Sequence, residues 1–183
     1  MLCPEGAIIE ALNVMGVLER GPTPSEVEFA RGILKIGEPM AVPIIRQLKK
    51  WALPQPGQIV IIDAPPGTSC PVVESVRGAD FLLLVTEPTP FGLHDLKLAV
   101  GAARILNIPC GLVINRSDLG DDQVKAYTDR ENLPVLMEIP YDRRIAEAYS
   151  RGELIVEAMP EWKMKFCELY QKIRQLVDET KSV

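Results

Sequence analysis

The chain has 183 residues, of which 47% are hydrophobic and 25% charged, and its formal net charge at neutral pH is −5. This is the composition of a globular protein of about one domain, long enough to bury a core without disulfides or a structural metal. The net acidic charge without a basic block argues against nucleic acid as partner. The longest apolar runs are too short to span a membrane and no signal-peptide layout opens the sequence, so we expect a cytoplasmic protein.

The first 37 residues are the least regular part of the sequence. Short β-like pieces near residues 7–12 and 29–36 are separated by a predicted turn at residues 21–24, Gly-Pro-Thr-Pro. Apolar residues at helical spacing then predict a helix over residues 41–52. It ends before the Pro-Gln-Pro-Gly stretch at residues 54–57, because that stretch cannot continue a helix.

From residue 56 onward, short β-rich runs alternate with amphipathic stretches. Four runs are apolar on both faces, as buried parallel strands are, and they cover residues 58–63, 81–86, 111–115 and 135–139. Helical patterns follow at residues 96–106, after Asp122, and at residues 166–177. Parallel strands need crossovers, which are almost always right-handed, so the sequence predicts an α/β fold: an open, mainly parallel sheet with helices on both faces. Ligands then belong at the carboxyl ends of the strands.

The most informative strand end is the one that follows residues 58–62. Asp63 is the first polar residue after four β-branched apolar ones. A carboxylate there can hold magnesium through its water shell or orient a water. Gly67, after two prolines, allows a backbone amide to approach an anion closely. The alternative is structural: Asp63 caps a turn and Pro-Pro-Gly merely ends a strand.

A second strand end strengthens the ligand-binding interpretation. Asn115 follows the predicted strand 111–115, and its side-chain amide offers both a donor and an acceptor, which suits a purine base. Neighbouring parallel strands end at the same edge, so the two polar groups are expected to serve one ligand.

The cysteines and the single histidine suggest no further chemistry. Cys3, Cys70, Cys110 and Cys167 are far apart and form no CxxC motif, which favours a reducing compartment and defines no metal site. Nothing near His94 resembles a nucleophile elbow, so a triad-type hydrolase is a poor interpretation.

Several blocks of the sequence resemble the MinD/Mrp-type P-loop ATPases, in the branch whose ATPase domain carries an inserted bacterial-type ferredoxin module. Together the blocks cover most of residues 36–152. They are residues 36–43 (IGEPMAVP), 61–73 (IIDAPPGTSCPVV), 85–96 (VTEPTPFGLHDL), 113–118 (VINRSD) and 138–143 (EIPYDR).

The resemblance implies roles for two groups of residues. Asp63 would be the Walker B or switch II aspartate, near Mg²⁺ through water, and Gly67 would meet the γ-phosphate through its amide; both would belong to the catalytic machinery.

A second set of residues would hold the nucleotide base. Asn115 would contact adenine with Arg116 packing beside it, while Pro140, Tyr141 and Asp142 would line the other side of the base. Two alternatives stay open: Asp142 as the N-cap of a helix over residues 143–151, and Tyr141 as surface cover.

The sequence also departs from the family. Members carry a glycine-rich loop with two lysines and a switch I aspartate before the ferredoxin insert, but these 183 residues contain no Gly-Lys dipeptide and no GxxxxGK[ST] motif. Phosphoryl transfer depends on positioning and charge stabilisation. We therefore expect an incomplete sheet without the P-loop strand, weak or absent binding of ATP and Mg²⁺, and no hydrolysis by this chain alone.

The start of the chain resembles the end of a ferredoxin motif, in which the last cysteine ligand is followed by proline, as Cys3 is here. A 4Fe–4S cluster is then expected only in a longer parent, because three partner cysteines would lie upstream. Met1 is interpreted as an internal or misassigned start, a truncation, or the start of a natural short paralogue. On this resemblance, residues 1–37 are the tail of the insert and its connection, and residues 38–183 the carboxyl-terminal part of the ATPase domain.

The leading functional hypothesis is the carboxyl-terminal part of an ATP-binding ATPase linked to an iron–sulfur module. The resemblance implies a homodimer for the complete protein and an iron–sulfur or electron-transfer partner. The alternative is a non-catalytic binding or scaffold module that docks a partner through an exposed sheet edge and residues 87–96. A nicotinamide-dependent oxidoreductase is disfavoured, since no GxGxxG follows a predicted strand.

Overall fold

The structure, a computed structural model, describes residues 7, 11–23, 27–52, 54–55 and 57–181. The chain divides into two units. The first comprises Met1–Pro65 with Ser69–Ser75, and the second comprises Pro66–Thr68 with Val76–Val183. Cys3 lies outside the described residues, so its predicted role as a cluster ligand stays a prediction.

The first unit contains an antiparallel hairpin. Strand β1 (Gly16–Pro22) pairs with β2 (Glu28–Leu34), and the ion pairs Arg20–Glu28 at 2.7 Å and Arg31–Glu19 at 2.6 Å join side chains across the two strands. The predicted β-like piece at 29–36 is confirmed as β2. Strand β1 was not predicted, because its seven residues include two glycines and a proline. Of the predicted piece at 7–12, residues 8–10 lie outside the described part and the other three form no strand.

Two helices complete this unit. Helix α1 (Val42–Trp51) is the predicted helix, and it packs on the hairpin through Ile44, which lies over Gly16 and Gly32, where any side chain would collide with it. Helix α2 (Cys70–Val76) was not predicted. Glu74 on α2 pairs with Arg46 of α1 at 2.9 Å, so an ion pair links the two helices.

The predicted strand at residues 58–63 is wrong for this structure. Residues 58–65 form neither helix nor strand, and Ile59, Val60, Ile61 and Ile62 are exposed by 64, 41, 90 and 42%. The physical reason is that a strand exists only through hydrogen bonds to a neighbour. Among the described residues, the three strand pairings are β1 with β2 and two within the second unit, and none of them involves 58–63.

The second unit is built on a parallel sheet. Its strands are β3 (Leu82–Thr86), β4 (Cys110–Asn115) and β5 (Val135–Ile139), in the order β3-β4-β5. These confirm three of the four predicted strands. The helices are α3 (Pro90–Ile105), α4 (Gln123–Glu131), α5 (Arg143–Ser150), α6 (Ile155–Ala158) and α7 (Glu161–Lys181). Within the described ranges, no helix combines the length and apolar character needed to cross a bilayer.

Helices cover both faces of this sheet. Successive side chains of a strand point to opposite faces, and Leu112 and Ile114 of β4 pack against α3 and α4, while Val113 packs against α7. All the buried hydrophobic side chains among the described residues belong to this second unit. The predicted fold class, an open parallel α/β sheet with helices on both faces, is confirmed. The central strand β4 is therefore the element that the core holds most firmly.

Candidate functional site

The carboxyl ends of β3, β4 and β5 bring polar residues to one edge of the sheet. Glu87 directly follows β3, Asn115 is the last residue of β4, and Pro140 directly follows β5. Parallel pairing aligns Thr86 with Ile114 and Asn115 with Ile139, so the three ends lie side by side. This edge is where an open α/β sheet binds its ligands.

Glu87 connects the first two strand ends. Its Oε1 atom lies 3.4 Å from the side-chain nitrogen of Asn115 and 3.5 Å from Nε of Arg116. Arg116 adopts a left-handed backbone conformation with φ of 51°, which turns the chain sharply at the end of β4. As a result, the amide and the guanidinium of two consecutive residues both face the same carboxylate.

The loops after β4 and β5 are joined by backbone contacts. The amide of Ser117 donates to the carbonyl of Ile139 at 2.9 Å, and the amide of Tyr141 donates to Oδ1 of Asp118 at 2.6 Å. The Arg116 guanidinium lies 6.0 Å from the centre of the Tyr141 ring, within cation–π range. These contacts fix the Tyr141 loop beside the Arg116 turn.

The two groups suited to stacking on a base are accessible. The Tyr141 residue is 51% exposed, and the Arg116 side chain is 53% exposed. A planar guanidinium and an aromatic ring both offer flat surfaces to a base. The structure thus brings together Asn115, Arg116, Pro140 and Tyr141, four of the residues predicted to contact the nucleotide base.

Asp142 also lies in this loop, and its contacts are local. Its Oδ1 accepts from the amide of Arg144 at 2.9 Å, which makes it the N-cap of α5, and its Oδ2 accepts from the Arg144 guanidinium at 2.6 Å. The N-cap interpretation is confirmed. The hydrogen bonds from the Arg144 side chain, and then that from its backbone, hold the pKa of Asp142 below its usual value.

We expect Asp142→Ala to lower the melting temperature by about 2–4 °C at neutral pH, because α5 loses its cap. A carboxyl whose pKa is depressed in the folded state stabilises above its unfolded pKa, and the effect is lost as the pH falls through the folded value. Circular dichroism melts from neutral pH down to about pH 3 should show the gap narrowing by the part that the carboxylate charge contributes, while the part that comes from capping remains.

The matched control is Asp142→Asn, because asparagine is also a good N-cap but cannot form the ion pair with Arg144. It should retain most of the stability at neutral pH. If the difference between wild type and Asp142→Ala stays constant down to acid pH, the charge of Asp142 contributes nothing.

The residues predicted to act at the phosphates fall in different units. Asp63 is an exposed residue of the first unit, in the segment without regular structure. Gly67 belongs to the second unit, is exposed, and has φ of 91°, a conformation that favours glycine. That Asp63 and Asn115 serve one ligand stays a prediction.

The described residues do not form a metal centre. Among them, no three His, Cys, Asp or Glu side chains lie together in a way that could hold a metal ion. Cys70 and Cys167 are exposed free thiols on α2 and α7, while Cys110 is partly buried in β4, where burial raises the pKa of its thiol. Among the described residues, these three cysteines lie on three different elements and do not form the ligand set of a 4Fe–4S cluster.

A cavity of about 130 Å³ lies next to this edge of the sheet. Its lining includes Asp118, Asp121, Asp122 and Lys125, together with Pro88. With three carboxylates against one ammonium group, it is a poor place for a phosphate. Asn115 and Tyr141 are not among its lining residues, whereas Asp118, which bonds to the Tyr141 amide, is. The cavity therefore borders the candidate base site.

Sequence reasoning missed the parts played by Glu87 and Asp118. Both are charged residues just beyond a strand end, which is the same signal that singled out Asn115. Thr89, nearby, is the N-cap of α3 and accepts from the amide of Gly92 at 3.0 Å, while His94 is exposed on that helix.

No protein-family model matches the chain. Among curated proteins, an uncharacterised protein of Methanocaldococcus jannaschii is 38% identical over 133 residues, which are 70% of this chain and 46% of that protein. The iron–sulfur cluster carrier protein of Aquifex aeolicus is 28% identical over 136 residues, 65% of this chain and 37% of the carrier. An uncharacterised ATP-binding protein of M. jannaschii is 30% identical over 104 residues, 54% of this chain and 38% of that protein.

The matches cover only part of each relative's length. The chain spans about half the length, or less, of the curated proteins that it matches. Its distant homologues include an iron–sulfur cluster carrier and an ATP-binding protein, at low identity and partial coverage. This is consistent with a relationship to P-loop ATPases.

Proposed function

We propose that this chain is the carboxyl-terminal part of a MinD/Mrp-type ATPase that works together with an iron–sulfur module, and that it carries the adenine-binding residues. The observation that supports this most is the contact of Glu87 with Asn115 and Arg116, beside Tyr141, at the carboxyl ends of parallel strands. The ATP-binding and iron–sulfur carrier names of two relatives point to the same pair of ligands.

The base site would work through hydrogen bonding and stacking. Asn115 presents an amide that matches the donor and acceptor edge of a purine. Arg116 and Tyr141 provide exposed flat groups on which the base can stack, while Pro140 and Asp142 line the same loop. The half-buried position of Asn115 reduces competition from water for those hydrogen bonds.

The phosphate end of the site would depend on other residues. Gly67, at positive φ and with open space around it, suits an amide that approaches the γ-phosphate, and Asp63 would act on Mg²⁺ through water. No glycine-rich loop with lysines occurs in the 183 residues. We therefore propose that this chain binds ATP weakly, does not hydrolyse it alone, and becomes active only within a complete protein, as a homodimer whose iron–sulfur module holds the cluster.

Titration of the ¹⁵N-labelled chain with Mg-ATP, followed by NMR, tests this proposal. We expect binding in the millimolar range, with shift changes at Glu87, residues 115–118 and residues 139–142, and no ATP hydrolysis above background. Asn115→Ala should weaken binding about tenfold, since it removes both hydrogen-bonding groups. Asn13→Ala, which deletes the same kind of amide in the first unit, should bind like wild type.

Three outcomes would contradict parts of the proposal. Micromolar affinity with turnover would refute the expectation that the lysine-bearing loop is needed. Shift changes elsewhere, with Asn115→Ala unaffected, would refute the base site. A chain that binds no ATP but forms a stable, nucleotide-independent oligomer would favour the scaffold alternative, for which the exposed Phe91 and Leu98 of α3 offer an apolar surface.

A further inference from the structure

Glu87 is a charged side chain at the strand ends to which the proposed function gives no part in holding the nucleotide. It directly follows β3, and its backbone carbonyl is packed tightly against the first turn of α3. Its backbone carbonyl accepts from the amide of Thr89 at 2.8 Å, and a side chain at Gly92 would collide with that same carbonyl oxygen. Pro88, the next residue, is buried. The start of α3 therefore fixes the Glu87 backbone, from which the side chain extends towards Asn115 and Arg116.

The chemistry of a carboxylate sets the orientation of the Asn115 amide. An ionised carboxylate only accepts hydrogen bonds, while the two ends of an asparagine amide differ, one being a donor and the other an acceptor. Because Glu87 Oε1 lies 3.4 Å from Nδ2 of Asn115, the amino end of the amide faces Glu87 and the carbonyl end faces away. At 3.4 Å the bond is long, but the reverse orientation would place two acceptors against each other.

Arg116 reinforces the same arrangement. Its Nε lies 3.5 Å from the same Oε1 atom, so one carboxylate oxygen holds two consecutive residues of the turn after β4. The Glu87 side chain is 39% exposed, so this is a partly shielded contact and not a fully solvated one. The other two residues of the turn are held independently. The Ser117 amide donates to the carbonyl of Ile139, the last residue of β5, and Asp118 accepts from the Tyr141 amide.

We propose that Glu87 is a positioning residue that makes Asn115 present its carbonyl oxygen to the base, and that it thereby selects purines with a 6-amino group over purines with a 6-oxo group. This inference rests on the proposed nucleotide site. The amino group of adenine donates to that oxygen. The 6-oxo group of hypoxanthine or guanine is an acceptor and is left without a partner against it.

Inosine triphosphate is the discriminating probe, because its base differs from adenine by a carbonyl in place of the 6-amino group and a proton on N1. Mg-ATP and Mg-ITP are titrated in parallel into the ¹⁵N-labelled full chain and followed by NMR. Wild type should bind ATP about tenfold more tightly than ITP. In Glu87→Gln the new amide can donate as well as accept, so the Asn115 side-chain amide can rotate by about 180°. The preference for ATP over ITP should then fall to about twofold or less.

The matched control is Glu138→Gln. The Glu138 side chain is 43% exposed and pairs with Lys125, much as Glu87, at 39%, pairs with Arg116. This variant should keep the wild-type ratio. Glu87→Asp is the second variant: it keeps the charge but is shorter by one methylene, so it should lose selectivity as Glu87→Gln does.

A readout without nucleotide separates this inference from the proposed function. The side-chain amide resonances of Asn115 should shift in Glu87→Gln and stay in place in Glu138→Gln. A wild type that binds ATP and ITP equally, or an ATP/ITP ratio that survives in both Glu87 variants, overturns the inference and leaves the nucleotide site standing. A wild type that binds neither nucleotide overturns the proposed function, and the inference with it.

Discussion

Leu112→Ala is expected to lower the free energy of unfolding of the second unit by about 3 kcal/mol. Leu112 is fully buried, with no exposed surface, in the middle strand of the sheet. It packs in the cluster formed with side chains of α3 and α4. Truncation removes its apolar contacts and leaves a cavity that close-packed neighbours fill only in part.

Urea denaturation measures this effect. The chain has two tryptophans, and Trp162 on α7 is buried in the second unit, so a Trp51→Phe background makes it the fluorescent reporter. The same truncation on the outer side of α3, Leu98→Ala, is the control. Leu98 is 49% exposed, and its loss should cost under about 0.5 kcal/mol. Equal effects of the two variants would mean that β4 is not the centre of the core.

Gly120→Ala is the second change with a large expected effect. Gly120 has φ of 98°, and a Cβ placed on it would overlap the carbonyl oxygen of Pro88. The substitution therefore combines an unfavourable backbone conformation with a backbone clash that no side-chain rotation relieves. We expect a loss of about 3 kcal/mol in the same urea experiment. Because Pro88 follows Glu87, the clash should also weaken the Glu87–Asn115 contact and shift the Asn115 side-chain amide resonances.

Gly152→Ala isolates the backbone part of this effect. Gly152 also has positive φ, 71°, but a Cβ there would meet nothing within 4 Å. It should cost about 1 kcal/mol and leave the Asn115 resonances unchanged. If Gly120→Ala costs no more than Gly152→Ala, the loop at 117–122 moves freely and does not brace Pro88.

The parts of the fold that the sequence predicted are those with strong local signals. The apolar runs of β3, β4 and β5 and the periodic stripes of α3 and α7 need no knowledge of their neighbours to be recognised. The segment 58–63 has the same apolar character as β4, yet it forms no strand, because strand pairing depends on a neighbour that apolar character alone does not specify. Helix α2 went unpredicted because seven residues beginning Cys-Pro carry too little periodicity.

The candidate site shows the same division. Asn115, Arg116 and Tyr141 could be selected from strand-end position and resemblance, and the structure brings them together. Glu87 and Asp118 carry the same strand-end signal, but their partners could not be named from sequence, because those partners lie 28 and 23 residues away. Such contacts follow from the parallel register of the strands, which becomes known only once the sheet is built.

At Arg116 the residue type that would stabilise the backbone turn is not the one that places a positive charge beside Tyr141. Glycine or asparagine occupies such a conformation at little cost, whereas a long side chain like arginine adopts it at roughly 1 kcal/mol. Yet neither of those residues could reach Tyr141 with a positive charge. The protein therefore gives up some backbone stability at this position to keep a cation beside the aromatic ring, so a substitution there that relieves the backbone also removes the cation.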